Sequence, residues 1–219
     1  MLQIFGRATS INVRKVLWVC DEIGLPYTRE DWGTGVDANA RSTQTPAFTA
    51  LNPNALVPVL RDGDFVLWES NTICRYLAAQ HGRSDLLPSS ARERAVVEQW
   101  MDWQAGELNN AWRYAFQALV RLNPGYADPA LTQASVDNWN RHMVMLEQRL
   151  DARLDAQSAR SAAFVAGSAF TLADVVLGLS TQRWLMTPMQ RPELPAVMAY
   201  VDRLSQRPAF MRHARNGVP

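Results

Sequence analysis

The chain has 219 residues, a length that suits one large domain or two small ones. Hydrophobic residues make up 47%, charged residues 20%, and the formal net charge is +1, which excludes a disordered, a collagen-like or a strongly basic nucleic-acid-binding chain. No stretch approaches the roughly 20 apolar residues of a membrane-spanning helix, and no signal-peptide core or disulfide framework is present. We therefore expect a cytoplasmic protein that binds neither nucleic acid nor membrane.

The first 80 residues predict a small α/β unit. An apolar run at 2–5 indicates a strand, and residues 13–23 carry apolar side chains at helical spacing up to Gly24. A weak strand at 27–31, a polar loop at 32–45 and a short helix at 46–51 follow. The apolar runs 56–60 and 65–68 flank an Asp-Gly turn and predict a hairpin, and a helical stripe covers 69–80. The predicted order is β-α-β-α-β-β-α.

The remainder of the chain predicts helices only. Residues 82–90 combine Gly, Pro and Ser and are expected to form a linker between a domain at 1–81 and an all-helical domain at 91–219. Two long helical patterns cover 91–121 and 130–156. Three further helices are expected to begin near Thr171, Pro195 and Pro208.

Ser10 and Asn12 stand between the first strand and the first helix. Ser and Asn are favoured helix N-caps, because their oxygens accept the unpaired N–H groups of the first turn. The same position allows a second interpretation, in which the side chain donates a hydrogen bond to an anion such as a thiolate that the helix dipole also favours. Both interpretations stay open on spacing alone.

Two other segments have the chemistry of a peptide-binding site. The Val57-Pro58 pair lies in an apolar run, and proline there either weakens the strand prediction or places the strand at a sheet edge, where unpaired backbone groups can bind an extended ligand. Glu69 and Ser70 stand where the hairpin meets the next helix. In one interpretation Ser70 is a helix N-cap and Glu69 an incidental surface acid. In the other, Glu69 binds the ammonium and Ser70 the carboxylate of an α-amino acid.

Other motifs carry no chemistry. Thr171 and Asp174 resemble a capping box, and we expect a structural role for them. The three histidines match no metal-ligand spacing, and no nucleotide-binding or serine-hydrolase motif is present. No metal and no cofactor is expected.

Taken together, five segments resemble the glutathione transferase superfamily along almost the whole chain. They are SINVRKVLW at 10–18, LNPNALVPVL at 51–60, ES at 69–70, FTLAD at 170–174 and RPAF at 207–210. The resemblance implies a thioredoxin-like N-terminal domain, an all-helical bundle domain and a homodimer. It also implies that Pro58 is cis and that glutathione is a co-substrate.

The resemblance assigns roles to the candidate residues. Val57 would pair with the cysteinyl backbone of glutathione, and Glu69 and Ser70 would bind its γ-glutamyl end. Ser10 would face the sulfur, with Asn12 a second candidate and Thr9 a weaker third.

The chain also departs from several branches of the family. No tyrosine or cysteine stands beside Ser10, which argues against the tyrosine-using and covalent classes, and Cys20 lies about three turns into the helix. Leu56 replaces a Lys or Gln that often contacts the glutathione backbone, so that this contact is missing or comes from the 33–45 loop. The Ser-Ser-Cys signature of the maleylacetoacetate isomerase branch is absent.

The predicted helix at 91–121 offers a pocket for a small hydrophobic electrophile. Leu108, Trp112 and Phe116 follow one another at one-turn spacing, and an apolar aromatic face suits such a co-substrate. Arg113 could stabilise negative charge that develops on it. The alternative is that this stripe is buried core between the domains.

The sequence therefore favours a glutathione S-transferase that activates the glutathione thiol as a thiolate. Two alternatives stay open: a glutathione-dependent disulfide or peroxide reductase, and a non-catalytic binding protein with the same fold.

Overall fold

The structure, a computed structural model, describes residues 1–33, 41–156 and 164–219. The chain divides into two compact units, Met1–Leu87 and Pro88–Pro219, and this boundary falls within the segment 82–90. Among the described residues, no helix combines the length and the apolar character that crossing a membrane requires.

A four-stranded mixed sheet organises the first unit. Its strands are β1 (Leu2–Phe5), β2 (Tyr27–Glu30), β3 (Val59–Asp62) and β4 (Phe65–Trp68), in the spatial order β2-β1-β3-β4. β1 runs parallel to β2 and antiparallel to β3, and β3 pairs antiparallel with β4 through a two-residue turn. The parallel pair requires a crossover, which the first helix supplies.

The described residues of this unit form three helices: α1 (Ile11–Ile23), α2 (Pro46–Thr49) and α3 (Ser70–Gln80). α1 ends at Gly24, whose φ of 80° is easily adopted only by glycine. α1 packs against α3. The apolar stripes that predicted these helices are their buried faces, and the core they form with the sheet includes Ile4, Val13, Leu17, Ile73 and Leu77.

The predicted strand at 56–60 begins later than expected, because β3 starts at Val59. Pro58 has no N–H to donate to a ladder. The residues before it are held in a turn by Asn52, whose amide Nδ2 donates to the carbonyl of Leu56 at 2.8 Å. The side chain of Asn52 also accepts the N–H of Asn54 at 3.0 Å. Hydrogen bonds from the Asn52 side chain thus take the place of strand pairing before Pro58. The apolar residues at 56–60 did not predict these bonds.

All secondary structure in the described residues of the second unit is helical. Its α-helices are α4 (Ala91–Trp103), α5 (Asn109–Leu119), α6 (Pro129–Ala156), α7 (Leu172–Met186), α8 (Pro195–Leu204) and α9 (Pro208–His213). A short 3-10 turn, Pro124–Tyr126, separates α5 from α6. Most residues of α7 are buried. The carboxylate of Glu147 in α6 accepts hydrogen bonds from the N–H groups of Ala196 and Val197 at the start of α8.

The predicted continuous helix at 91–121 is interrupted by a π-helical turn. Residues Gln104–Leu108 form this wider turn between α4 and α5. A π turn adds a residue to the helix and changes the direction of the side chains that follow. The π turn was not predicted, because the apolar residues keep helical spacing over the whole segment.

The predicted capping box is present at the start of α7. The N–H of Thr171 donates to Oδ2 of Asp174 at 2.8 Å, and the Thr171 hydroxyl donates to the same oxygen at 3.2 Å. Asp174 also accepts the N–H of Val165 at 3.0 Å and the hydroxyl of Tyr200 at 3.0 Å. The box therefore fastens the segment before α7 and helix α8 to the N-terminus of α7.

Candidate functional site

Ser10 occupies the N-cap position of α1, but its side chain does not cap the helix. Its backbone is extended, with φ −76° and ψ 124°, and its carbonyl accepts the N–H of Arg14 at 2.9 Å. The hydroxyl makes no capping hydrogen bond. The capping interpretation therefore holds for the backbone only, and the half-buried hydroxyl is able to donate to a ligand at the positive end of the helix dipole.

Asn12 lies in the first turn of α1 and is half-buried. Its amide makes no hydrogen bond to any residue in the described parts of the chain, so it too can donate to a bound group. Thr9 is exposed. Ser10 and Asn12 are thus both compatible with the predicted role.

Gly6 brings the end of β1 against α1 and against the Val57-Pro58 segment. A Cβ atom at this position would lie 2.5 Å from Cγ2 of Val13 and 3.0 Å from Cβ of Val57. The φ of Gly6 is 150°, a conformation that other residues rarely adopt. Gly6 was not among the predicted site residues, although a glycine directly after a predicted strand was an available signal.

The Val57–Pro58 peptide bond is cis. Pro58 is buried, and Val57 packs against the small core cluster of Phe5, Phe48 and Val59. Neither the N–H nor the carbonyl of Val57 is hydrogen-bonded to a residue that the structure describes. The predicted edge position is wrong, because β3 is an interior strand that pairs with both β1 and β4. The backbone groups of Val57 lie just before this strand and are left for pairing with an extended peptide.

Glu69 and Ser70 stand at the start of α3. Glu69 is the N-cap and has φ 73° and ψ 111°, a strained backbone for a residue with a side chain. Ser70 is the first helical residue, not the cap, and it is 6% exposed. Its hydroxyl has no hydrogen-bond partner among the described residues. The carboxylate of Glu69 is exposed, so an acid and a hydroxyl stand together at the N-terminus of a helix.

Lys15, the only lysine of the chain, connects α1 to this corner. It is 1% exposed, and its Nζ donates to Oδ1 of Asn71 at 3.2 Å. Asn71 is adjacent to Ser70, so this bond ties the helix that carries Ser10 to the helix that carries Ser70. No role for Lys15 was predicted from the sequence, because its neighbours in sequence say nothing about a contact with α3.

The two cysteines, Cys20 and Cys74, are both buried. Burial raises the pKa of the Cys20 thiol to about 12, and the nearby Cys74 contributes. Burial likewise raises the pKa of Cys74 to about 12, although Lys15 opposes it. Burial thus favours the protonated form of both thiols, which argues against either cysteine as a nucleophile.

The four predicted residues of the co-substrate pocket divide into two groups. Leu108 and Phe116 are buried at 0% and 3% exposure, whereas Trp112 is half-buried and Arg113 is exposed. The Trp112 and Phe116 rings meet edge to face with centroids 5.5 Å apart. Burial favours a packing role for Leu108 and Phe116, and Trp112 and Arg113 keep surface that a ligand could contact.

Among the described residues, no group of three or more His, Cys, Asp or Glu side chains is arranged to hold a metal ion. His142 is buried and its Nδ1 lies 2.7 Å from the carbonyl of Asn138. This contact stays within one helix.

The family described as "Glutathione S-transferase, N-terminal domain" matches residues 9–80. The chain is similar to glutathione S-transferase GstB of Escherichia coli K12, with 36% identity over 97% of each chain. It is also similar to glutathione S-transferase 3 of Zea mays, with 34% identity over 96% of this chain and 92% of the maize protein.

The fold resembles solved structures of the same kind. A theta-class glutathione S-transferase from Xanthomonas axonopodis pv. citri, with glutathione bound, superposes with a TM-score of 0.87 at 36% identity. The match covers 100% of this chain and 99% of that one. Glutathione transferase F7 of Populus trichocarpa superposes with a TM-score of 0.79 at 26% identity, covering 99% of each chain. Relatives at 36% and 34% identity match almost the whole length, and the fold is that of a solved glutathione S-transferase, so the chain belongs to the glutathione S-transferase superfamily.

Proposed function

We propose that this glutathione transferase activates the glutathione thiol as a thiolate at the start of α1 and directs it at a small hydrophobic electrophile. The observation that carries the proposal is the Ser10 hydroxyl, which stands at a helix N-terminus and is not used for capping. Ser10 is the first candidate for the hydrogen bond to sulfur, and Asn12 is the second.

The energies required are within reach of these groups. A free thiol has a pKa of about 8.5, so only a few per cent is thiolate at pH 7. Lowering the pKa of the thiol by one requires about 1.4 kcal/mol of preferential stabilisation of the thiolate. One hydrogen bond to a charged group supplies about 1.5–3 kcal/mol, and the helix dipole adds up to about 1 kcal/mol. A basic residue is therefore not needed.

The γ-glutamyl end of glutathione would bind at the start of α3. Its carboxylate would accept from the Ser70 hydroxyl and from N–H groups of the first helical turn, and its ammonium would pair with Glu69. The strained backbone of Glu69 supports this assignment, because strain of this kind concentrates at functional positions.

The cysteinyl backbone of glutathione would pair with Val57. Its N–H and carbonyl are not used within the described chain, and Pro58 closes the position to further strand pairing. Leu56, which is 63% exposed, offers no polar group to the ligand. The alternative, a contact to the glutathione backbone from the 33–45 loop, falls largely on residues 34–40, outside the described residues.

The electrophile would contact Trp112, with Arg113 stabilising negative charge that develops on it. Leu108 and Phe116 would support the pocket from within the helical unit. An aromatic surface and a cation on the same helix suit an apolar molecule that gains electron density during nucleophilic attack.

Three assays test the proposal. Retention on immobilised glutathione separates a glutathione-binding protein from one that has lost the site. Thiol conjugation to chlorodinitrobenzene and reduction of hydroxyethyl disulfide are then measured in parallel. Conjugation faster than disulfide reduction supports the transferase; the reverse result supports a reductase, and retention without either activity supports a binding protein.

The homodimer and the cytoplasmic location are also proposals. β4 is an edge strand of the sheet, and its side chains Phe65 and Trp68 are 46% and 37% exposed. A second copy would cover this apolar surface. Light scattering at micromolar concentration tests the dimer.

The free cysteines suit a reducing compartment. Glutathione acts as co-substrate, and no cofactor enters the proposed chemistry.

A further inference from the structure

The π-helical turn between α4 and α5 places a buried amide inside the helical unit. Gln104, its first residue, is 1% exposed, whereas the next three residues, 105–107, are exposed. A buried amide must find hydrogen-bond partners, because leaving it without them costs free energy. The Gln104 Nε2 donates to Oδ1 of Asn109 at 2.9 Å and to Oγ of Ser180 at 3.1 Å.

These bonds lead from the core of the unit to Trp112. Ser180 lies in α7 at 0% exposure, and its hydroxyl donates to the carbonyl of Val176 at 2.9 Å. At the other end, the indole Nε1 of Trp112 donates to Oδ1 of Asn109 at 3.1 Å. Gln104 and Trp112 therefore donate to the same amide oxygen, and the orientation of the indole is tied to α7 through Gln104.

Three further side chains surround the Trp112 ring. Phe116 meets it edge to face, Trp139 lies with its ring centroid 6.0 Å away, and the Arg183 guanidinium stands 4.7 Å from the Trp112 ring centroid. Trp139 and Arg183 are buried. The ring thus packs against three buried side chains, while Trp112 itself is only half-buried.

We propose that Gln104, Asn109 and Ser180 are positioning residues that fix the Trp112 indole as a wall of the electrophile site. The inference rests on the proposed function, in which the electrophile contacts Trp112. A ring whose rotamer is already held loses little freedom when a ligand packs on it, so the network should lower KM for the electrophile. The π turn contributes by placing Gln104 within reach of both Asn109 and Ser180.

Two substitutions at Asn109 separate the hydrogen bond from mere packing. Asn109→Leu removes the shared acceptor, and Asn109→Asp keeps an oxygen that both donors can reach. With chlorodinitrobenzene varied at saturating glutathione, we expect Asn109→Leu to raise KM about 3- to 10-fold, the worth of a hydrogen bond of this kind. KM for glutathione should stay within about twofold, and Asn109→Asp should restore KM for the electrophile.

Asn110→Leu is the matched control, because Asn110 is the exposed neighbour on the same helix. It should leave both KM values unchanged. Melting temperatures of all variants establish that they are folded at the assay temperature. In a Trp112→Phe background, Asn109→Leu should have no further effect on KM for the electrophile, because the indole N–H that it serves is gone.

The outcomes distinguish the inference from the function on which it rests. A wild-type chain that binds no glutathione, or conjugates it to no electrophile, overturns the proposed function and this inference together. An active wild type whose KM for the electrophile is unaffected by Asn109→Leu overturns the inference alone. So does an equal rise in KM in the Trp112→Phe background, because Asn109 would then act by another route.

Discussion

Gly6 and Val13 approach so closely that a Cβ on Gly6 would lie 2.5 Å from Cγ2 of Val13. This contact sets the distance between the end of β1 and the first turns of α1, where Ser10 and Asn12 stand. The side chain of Val57 lies against the same glycine. One residue without a side chain thus brings two parts of the candidate site together.

Gly6→Ala should therefore destabilise the protein by about 3 kcal/mol or more, because a positive φ and an overpacked contact each cost about 1–3 kcal/mol. Gly24→Ala is the matched control: Gly24 also has a positive φ, but a Cβ there would meet nothing within 4 Å. We expect a loss of only about 1 kcal/mol for the control. Equal free energies of unfolding for the two variants, measured with urea, would contradict the close contact.

Ser10→Ala should impair thiol activation without affecting the fold. The side chain makes no capping bond, so the melting temperature should change little. Loss of one hydrogen bond to a charged group should raise the pKa of the bound glutathione thiol by about 1–2 and lower turnover at pH 7 about 10- to 100-fold. Ultraviolet absorbance of the thiolate, titrated against pH, measures the pKa directly.

The same titration of Asn12→Ala assigns the role. If Asn12→Ala raises the pKa of the bound thiol and Ser10→Ala does not, Asn12 is the activating residue. If neither variant changes it, the thiolate is not stabilised at the start of α1 by a side chain, and the proposed mechanism fails.

Ser70→Ala should weaken glutathione binding. Loss of a donor to a buried carboxylate costs about 1–3 kcal/mol, which corresponds to a rise in Kd of about 5- to 150-fold. The fold should be unaffected, because the hydroxyl bonds to none of the described residues. Thr72→Ala, which removes an exposed hydroxyl from the same helical turn, is the control. Calorimetric titrations that give both variants the wild-type Kd would remove Ser70 from the site.

Asp174 should make stability depend on pH. Burial raises the pKa of its carboxyl from the ordinary 3.8 to about 6, although four hydrogen bonds oppose the rise. The folded state therefore binds the proton more tightly than the unfolded state does. The resulting stabilisation is fully present below about pH 4 and is lost as the pH rises through about 6; it amounts to about 3 kcal/mol.

Denaturant unfolding of the wild type and of Asp174→Asn between pH 3 and pH 8 measures this effect. Asparagine cannot titrate, so the difference in the free energy of unfolding between the two proteins isolates Asp174. The wild type should lose stability relative to the variant between pH 4 and pH 6. A difference that is constant with pH would show that the carboxyl keeps its ordinary pKa.

The sequence by itself determined the elements of this protein. Apolar residues at helical spacing placed α1 and α3, a Gly-containing turn placed the β3–β4 hairpin, and the Thr171–Asp174 pair placed the start of α7. These signals are local, since a helix stripe, a turn and a cap each depend on residues a few positions apart. The resemblance to a family, quoted from short motifs in order, supplied the fold and the candidate site residues.

The tertiary structure decided the contacts between residues distant in sequence. Lys15 meets Asn71 across 56 positions, and Gln104 meets Ser180 across 76. Local patterns carry no information about such pairs, because the fold alone sets which helix faces pack together. Gly6 is a third example. A side chain does not fit at this position, because Val13 and Val57 lie within 3 Å of where its Cβ would be. Only the packing of the sheet against the helix brings these residues there.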